Sequence, residues 1–243
     1  METGRYLVEG SDLVRQALVS PSPVHAVFAT PEAATPDFEA LCAAAKASLF
    51  VAGAGLIARL VGTGYETAVT TVAVAGQRTI APDDLPALPD ALLLAGERIQ
   101  DPRNVGVLVR TAEAAGCAAL LLSGDSAEPY SRAAVRSTTG SILRLPLCLV
   151  PDLPRVLAGL RASGTRVVAT SARAPVLAWQ ADLGERPLAL VVGNETEGIS
   201  AAARDSASDF VALPMAPGGA SSLNVTVAAG VLCYEALRQR RFQ

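Results

Sequence analysis

The chain has 243 residues, of which 51% are hydrophobic and 18% charged, with a formal net charge of −3. That length holds one large or two modest domains with a real core, and the composition excludes a disordered chain. No run reaches the roughly 18 uninterrupted apolar residues of a membrane span, the first ten residues lack a signal-peptide core, and the balance of charge does not mark a globally positive polyanion binder. The expectation is therefore a soluble, cytoplasmic α/β protein.

Up to residue 76 the pattern alternates. Residues 7–19 have helical spacing, 24–29 read as a strand, 37–47 as an alanine-rich helix and 48–52 as a short strand; 56–61 form a short helix and 67–75 a β-branched strand. This predicts a small α/β domain over 1–76, with four basic and seven acidic side chains. The only histidine, His25, falls in the strand-like run and reads as a half-buried strand residue. Its solitude excludes a multi-histidine metal centre and leaves serine–histidine–aspartate chemistry without a good candidate. Residues 77–90 concentrate proline and aspartate without apolar periodicity and read as a linker.

From 91 to 243 the alternation is clearer, with strand-like runs at 91–95, 118–122, 145–150, 166–170, 188–192 and 210–213. Helices lie between them, and a long helix closes the chain from about Leu223. Apolar strands alternating with helices predict a mostly parallel sheet covered on both faces. All fifteen basic residues of 89–243 are arginines, against fourteen acidic ones. Arginine suits phosphate contacts, and a GC-rich genome gives the same bias. The four cysteines, Cys42, Cys117, Cys148 and Cys233, lie scattered in apolar stretches and read as buried free thiols.

In such sheets ligands sit off the carboxyl ends of the strands, which singles out three loops. The first, 96–104, leads through Asp101-Pro102 to a helix on which Asn104 reads as the N-cap. Val105, Leu108, Val109, Ala112 and Gly116 share its core face, with Arg103 and Arg110 pointing away. Spacing alone favours a solvated arginine face with a capping asparagine. The second loop, 193–200, opens on Gly193-Asn194-Glu195 and also fits a plain strand–turn–helix connection. In the third, 214–222, Ser221 or Ser222 can cap the final helix, and Asn224 is a polar amide needing partners on a helix apolar nearly all round. The dinucleotide and P-loop fingerprints are absent.

In this order and spacing, the loops resemble the three motifs of the SpoU/TrmH branch of the SPOUT methyltransferases. Asp101-Pro102-Arg103-Asn104-Val105-Gly106 leading to Arg110-Thr111-Ala112 resembles the first. Val192-Gly193-Asn194-Glu195 with Gly198 resembles the second. Leu213-Pro214-Met215 followed by Ser222-Leu223-Asn224-Val225 resembles the third, with Ser221 standing where many members carry glutamate. Arg136-Ser137-Thr138-Thr139-Gly140-Ser141 fits as well, and residues 1–76 look like the accessory substrate-binding domain, similar to a ribosomal protein.

The resemblance implies a trefoil-knotted catalytic domain over 91–243, homodimerisation, and S-adenosylmethionine as methyl donor to a ribose 2′-hydroxyl of RNA. By motif position, Gly193, Leu213 and Leu223 would line the cofactor pocket, with Thr170, Asn194, Glu195, Ile199, Met215 and Ser222 as neighbours. Arg110 would be the catalytic arginine. A guanidinium normally stays protonated to about pH 12, so it acts either as base or by holding a phosphate and stabilising the developing alkoxide. Asn104, Glu195 and Asn224 would position the reacting groups. Arg5, Arg15, Arg59, Arg103, Arg132, Arg136 and Arg144 are the candidate RNA contacts. The accessory domain and short ends favour ribosomal RNA, 23S in particular, over transfer RNA. A non-catalytic RNA-binding or assembly protein that keeps the fold is the rival from another class.

Overall fold

The computed structural model describes residues 4–62, 69–87 and 89–241. The chain begins β1 (Arg5–Glu9), α1 (Ser11–Leu18), β2 (Val24–Ala29), α2 (Pro36–Ala44), β3 (Ser48–Val51), α3 (Ala54–Val61) and β4 (Thr71–Gly76). It continues β5 (Leu92–Gly96), α4 (Pro102–Ala114), β6 (Ala119–Ser123), α5 (Arg132–Ser137), β7 (Leu147–Val150) and α6 (Leu153–Ala162). The last part is β8 (Arg166–Thr170), β9 (Leu188–Val192), α7 (Ala201–Ser206), β10 (Asp209–Val211) and α8 (Val225–Arg241). These elements form two compact units, Met1–Arg78 with Tyr130–Arg144, and Thr79–Pro129 with Leu145–Gln243.

The first unit is a four-stranded sheet in the order β1-β4-β2-β3. Its β2–β3 pair is parallel and its other pairs antiparallel. Sequence spacing reads 7–19 as one helix, but Arg5–Glu9 is a strand. Tyr6 and Val8 are buried and Arg5 and Leu7 exposed, a period of two, and Gly10 at φ 94° turns the chain into α1. The β-branched strand expected at 67–75 is found at Thr71–Gly76; residues 67 and 68 lie outside the described residues. His25 is exposed rather than half-buried.

Residues 130–144, which the sequence reading placed in the second domain, pack in the first unit. Ile142 and Leu143 are each 1% exposed. The Tyr130 ring sits 4.9 Å from that of Tyr6, and the Ser22 hydroxyl donates to the Leu143 carbonyl at 3.0 Å. An apolar pair in a short irregular stretch carries no periodic mark, so its destination is invisible locally. The segment brings Arg132, Arg136 and Arg144 and no acidic residue. It takes the unit from five basic against seven acidic side chains over 1–78 to eight against seven.

The second unit is a six-stranded sheet in the order β10-β8-β9-β5-β6-β7, parallel throughout. Every residue of β5, β6 and β9 is buried, as a parallel strand covered on both faces requires. Leu93, Ala95, Leu121, Val167, Ala189 and Val191 pack with Leu153, Leu157, Leu160 and Ala203 of α6 and α7. The alternate residues face α4 and α8, which pack on each other; at Gly96, the nearest side chains to an added Cβ are those of Ile99, Leu122 and Leu108. Part of the stretch read as a linker is ordered onto this unit. The Ile80 amide donates to the Leu147 carbonyl at 3.0 Å, and Leu85 is 1% exposed in the core. All four cysteines are buried free thiols. Among the described residues no helix is long and apolar enough to cross a membrane.

Leu94 is fully buried on the α4 side of the sheet. Leu94→Ala should cost about 2–5 kcal/mol, seen as a lower urea midpoint followed by far-ultraviolet circular dichroism. An unchanged midpoint would contradict this packing.

Candidate active site

Parallel pairing brings the carboxyl ends of β5, β8, β9 and β10 to one edge. Val211 lies beside Thr170, Ala169 beside Val191, and Val192 beside Gly96. Gly193 and Leu213 thus leave strands two positions apart, about 10 Å. The first loop follows β5, next to the second loop after β9, although their residues are nearly a hundred positions apart in sequence.

Local chemistry sets the first loop differently from the sequence reading. The N-cap of α4 is Asp101, whose carboxylate accepts from the Arg103 amide at 2.8 Å, and Pro102 opens the helix. A proline with its fixed φ suits that first position. Asn104 is therefore inside the first turn, its side chain released from capping. Its Nδ2 donates to Glu195 Oε1 at 2.8 Å, and its Oδ1 accepts from Asn224 Nδ2 at 3.3 Å. One residue from each of the three motif segments thus joins a single hydrogen-bonded chain, Glu195–Asn104–Asn224. Asn224 Oδ1 also accepts from the Thr226 amide at 2.8 Å and the Thr226 hydroxyl at 2.6 Å. It takes the capping role expected of Ser221 or Ser222, which are exposed and make no hydrogen bond to a described residue.

Glu195 accepts in addition from the amides of Gln100 at 3.3 Å and Asp101 at 3.5 Å. Partial burial pushes its carboxyl upward, but the Asn104 side chain and these backbone donors outweigh it and hold it below the usual carboxylate range. A carboxylate so held is a weaker proton acceptor than a free one.

The second loop is a tight turn. Asn194 and Gly198 exchange backbone hydrogen bonds at 3.0 and 2.9 Å, and Asn194 Oδ1 accepts from the amides of Thr196 and Glu197. Asn194 Nδ2 donates to the Arg98 carbonyl at 2.9 Å. A Cβ on Gly193 would stand 2.3 Å from the Gly198 carbonyl carbon and the Ile199 nitrogen, so only glycine lets the loop fold back on its own strand. The Ile199 side chain is 4% exposed and belongs to the core; only its backbone faces the loop region. In the third loop Leu213 and Met215 are half-buried and Leu223 is 40% exposed. The amides of Leu213, Met215, Ser222 and Leu223 make no hydrogen bond to any described residue.

Arg110 is exposed on α4 and is not drawn into the Glu195–Asn104–Asn224 chain. Among the described residues it has no hydrogen-bond or ion-pair partner. Four other candidate arginines and Arg15 have partners or ring contacts. Arg103 forks onto Asp101 at 2.7 Å, which raises the guanidinium pKa and lowers that of the carboxyl through their mutual hydrogen bonds. Arg132 binds Glu9 at 2.6 Å with Arg136 at 3.8 Å from the same carboxylate, Arg144 reaches Gln16 at 3.4 Å, and Arg15 lies 5.2 Å over the Phe38 ring. Arg5 and Arg59 are exposed.

Sequence reasoning missed the residues that tie the first two loops together. Arg98, at φ 54°, binds Glu197 at 2.7 Å, and its amide donates to the Ser123 hydroxyl at 2.7 Å. Glu97, 4% exposed, takes both hydrogen-bond donors of Ser200. A carboxylate straight after an apolar strand was the available signal.

A parallel α/β sheet with polar loops gathered at the carboxyl ends of its strands defines the ligand-binding class of that architecture. Residues 91–234 match the SpoU rRNA Methylase family, and the chain belongs to it. It is 38% identical over 149 residues to the 23S rRNA (guanosine-2′-O-)-methyltransferase RlmB of Vibrio parahaemolyticus, covering 61% of this chain and 60% of that protein. The chain aligns with only 52% to 60% of the length of the curated relatives it matches. The structure is similar to an AdoMet-bound rRNA methyltransferase from Sinorhizobium meliloti, with TM-score 0.87 and 27% identity over 100% of this chain and 90% of that one. It is also similar to the SpoU methyltransferase AviRb from Streptomyces viridochromogenes in complex with AdoMet, with TM-score 0.84 and 31% identity over 98% of this chain and 91% of that one.

Gly193→Ala should break the backbone pair between Asn194 and Gly198, because the obstruction is main chain and cannot rotate away. Amide hydrogen exchange at Gly198 should rise at least about tenfold; wild-type protection would show that the turn tolerates a side chain.

Proposed function

We propose that the chain is an S-adenosylmethionine-dependent methyltransferase acting on a ribose 2′-hydroxyl of ribosomal RNA, 23S RNA in particular. The observation that carries this is the hydrogen-bonded chain from Glu195 through Asn104 to Asn224, which ties together one residue from each of the three motif segments. The named relatives support the substrate class.

The cofactor reading rests on the chemistry of the third loop. Half-buried Leu213 and Met215, exposed Leu223 and amides without described partners offer apolar walls and main-chain donors. That combination suits a ligand with a purine edge and an aliphatic chain. Gly193, Asn194, Leu213, Met215, Ser222 and Leu223 would hold it, with Thr170 at the adjoining strand end. When bound, S-adenosylmethionine supplies an electrophilic methyl group on a sulfonium. The protein's part is to align the ribose hydroxyl and accommodate loss of its proton. Arg110 offers an uncommitted five-donor fork for the phosphate beside the target ribose and for the charge developing on its oxygen.

The same reading takes the passage from Leu213 into α8 as threaded, forming the trefoil knot. Its support is the packing of α8 on α4, with Asn224 against Asn104. It also makes the protein a homodimer. Val227, Val231 and Tyr234, spaced along one side of α8, are 50%, 44% and 52% exposed, a stripe that a second copy would cover. The first unit would dock structured RNA through Arg5, Arg15 and Arg59 and through the inserted Arg132, Arg136 and Arg144; in the second unit Arg103 of α4 is a separate candidate contact. Binding of that kind weakens with salt.

Labelled S-adenosylmethionine, incubated with unmodified ribosomal and transfer RNAs, should place a methyl group on one 2′-oxygen of 23S RNA. Arg110→Ala should lower turnover about 10²–10³-fold with cofactor affinity kept; near-normal turnover would refute its role, and methylation of transfer RNA alone would overturn the substrate assignment. Val231→Glu should convert a dimer to a monomer in sedimentation velocity, and a wild-type monomer would remove the dimer proposal.

A further inference from the structure

Glu97 and Glu195 form a reciprocal pair across neighbouring strands. Glu195, in the loop after β9, reaches back to the Gln100 and Asp101 amides and the Asn104 side chain of the loop after β5. Glu97, at the end of β5, reaches the other way. Its Oε2 accepts from the Ser200 amide at 2.7 Å and its Oε1 from the Ser200 hydroxyl at 2.6 Å. Ser200 in turn caps α7, accepting from the Ala203 amide at 3.1 Å. Glu97 is 4% exposed, and both its oxygens are spent on one residue.

Resting on the methyl-transfer reading above, we infer that Glu97 is a positioning residue for the reaction. It fixes the far end of the loop that carries Asn194 and Glu195. The near end is fixed by the close fold-back at Gly193, and the side chain of Ile199 is anchored in the core. Among the described residues, the Glu97 carboxylate is the partner outside α7 that holds Ser200, where the loop becomes helix. Without it the turn can pivot about Gly193, Glu195 loses its reach to Asn104, and the start of α8 at Asn224 is left unaligned. An ångström of such displacement is enough to cost a large factor in rate.

The geometry predicts which replacements succeed. In Glu97→Gln the amide oxygen still accepts from the Ser200 amide and the new NH2 donates to the Ser200 oxygen, so the contact survives without the charge. Glu97→Asp keeps the charge but falls one methylene short, and Glu97→Ala removes the contact. In the full-length protein, the alanine and aspartate variants should weaken S-adenosylmethionine binding, measured by calorimetry, about tenfold. They should lower turnover at saturating cofactor and RNA roughly tenfold to hundredfold and speed amide exchange across residues 194–200. The glutamine variant should stay within about threefold of wild type in each. If alanine and aspartate variants keep wild-type affinity and exchange rates and lose only thermal stability, the inference falls. If wild type methylates no RNA, or binds no S-adenosylmethionine, while these variants still loosen residues 194–200, Glu97's positioning role stands and the methyl-transfer reading falls. Unchanged exchange in that case sinks both.

Discussion

The parallel ladder between β5 and β9 is the constraint on which the rest of the second unit depends. Leu92 to Gly96 run beside Leu188 to Val192 in unbroken register, so two loops distant in sequence start at the same height and one strand spacing apart. The polar contacts between them follow from that adjacency, among them Glu97 with Ser200, Arg98 with Glu197, Asn194 with the Arg98 carbonyl, and Glu195 with Asn104 and the Gln100 and Asp101 amides. The strands themselves are held by burial on both faces rather than by anything polar. A dry, stiff sheet thus supplies the precision, and the carboxylates and amides at its edge inherit it.

Much of this sheet was legible in the sequence because strands buried on two faces must be apolar throughout, and runs such as Leu188-Ala189-Leu190-Val191-Val192 admit few other readings. The three loops were legible by their order and spacing. Capping was less so. Asp101 and Asn104 are both good caps by residue type, and only the proline between them in the chain decides which position opens the helix. Asn224 likewise competed with two serines that proved exposed. The Glu97–Ser200 contact left no trace, since a hydrogen bond between residues 103 positions apart imprints no local period. β1 was misread because Leu7 and Val8 fit the helical stripe that continues through Val14 and Leu18.

The arginines illustrate the difference between having a charge and having it available. Arg103 forks onto its own helix cap, and Arg132 and Arg136 share Glu9. A second anion approaching these side chains competes with an existing carboxylate, while one approaching Arg110 does not. Charge counts taken from sequence treat all of them alike. The geometry ranks them, and Arg110, uncommitted among the described residues, stands on the helix whose first turn carries Asn104.

The excursion of residues 130–144 into the first unit also bears on synthesis. The chain leaves that unit at Arg78, lays down β5 and β6, and returns before completing the second sheet. As the polypeptide emerges from the ribosome, the amino-terminal unit still lacks Ile142, Leu143 and the cations that face Glu9 until 144 residues have been made. Neither half can therefore finish folding in simple vectorial order, and a truncation ending at residue 78 would bare apolar surface that the intact chain covers with its own later segment.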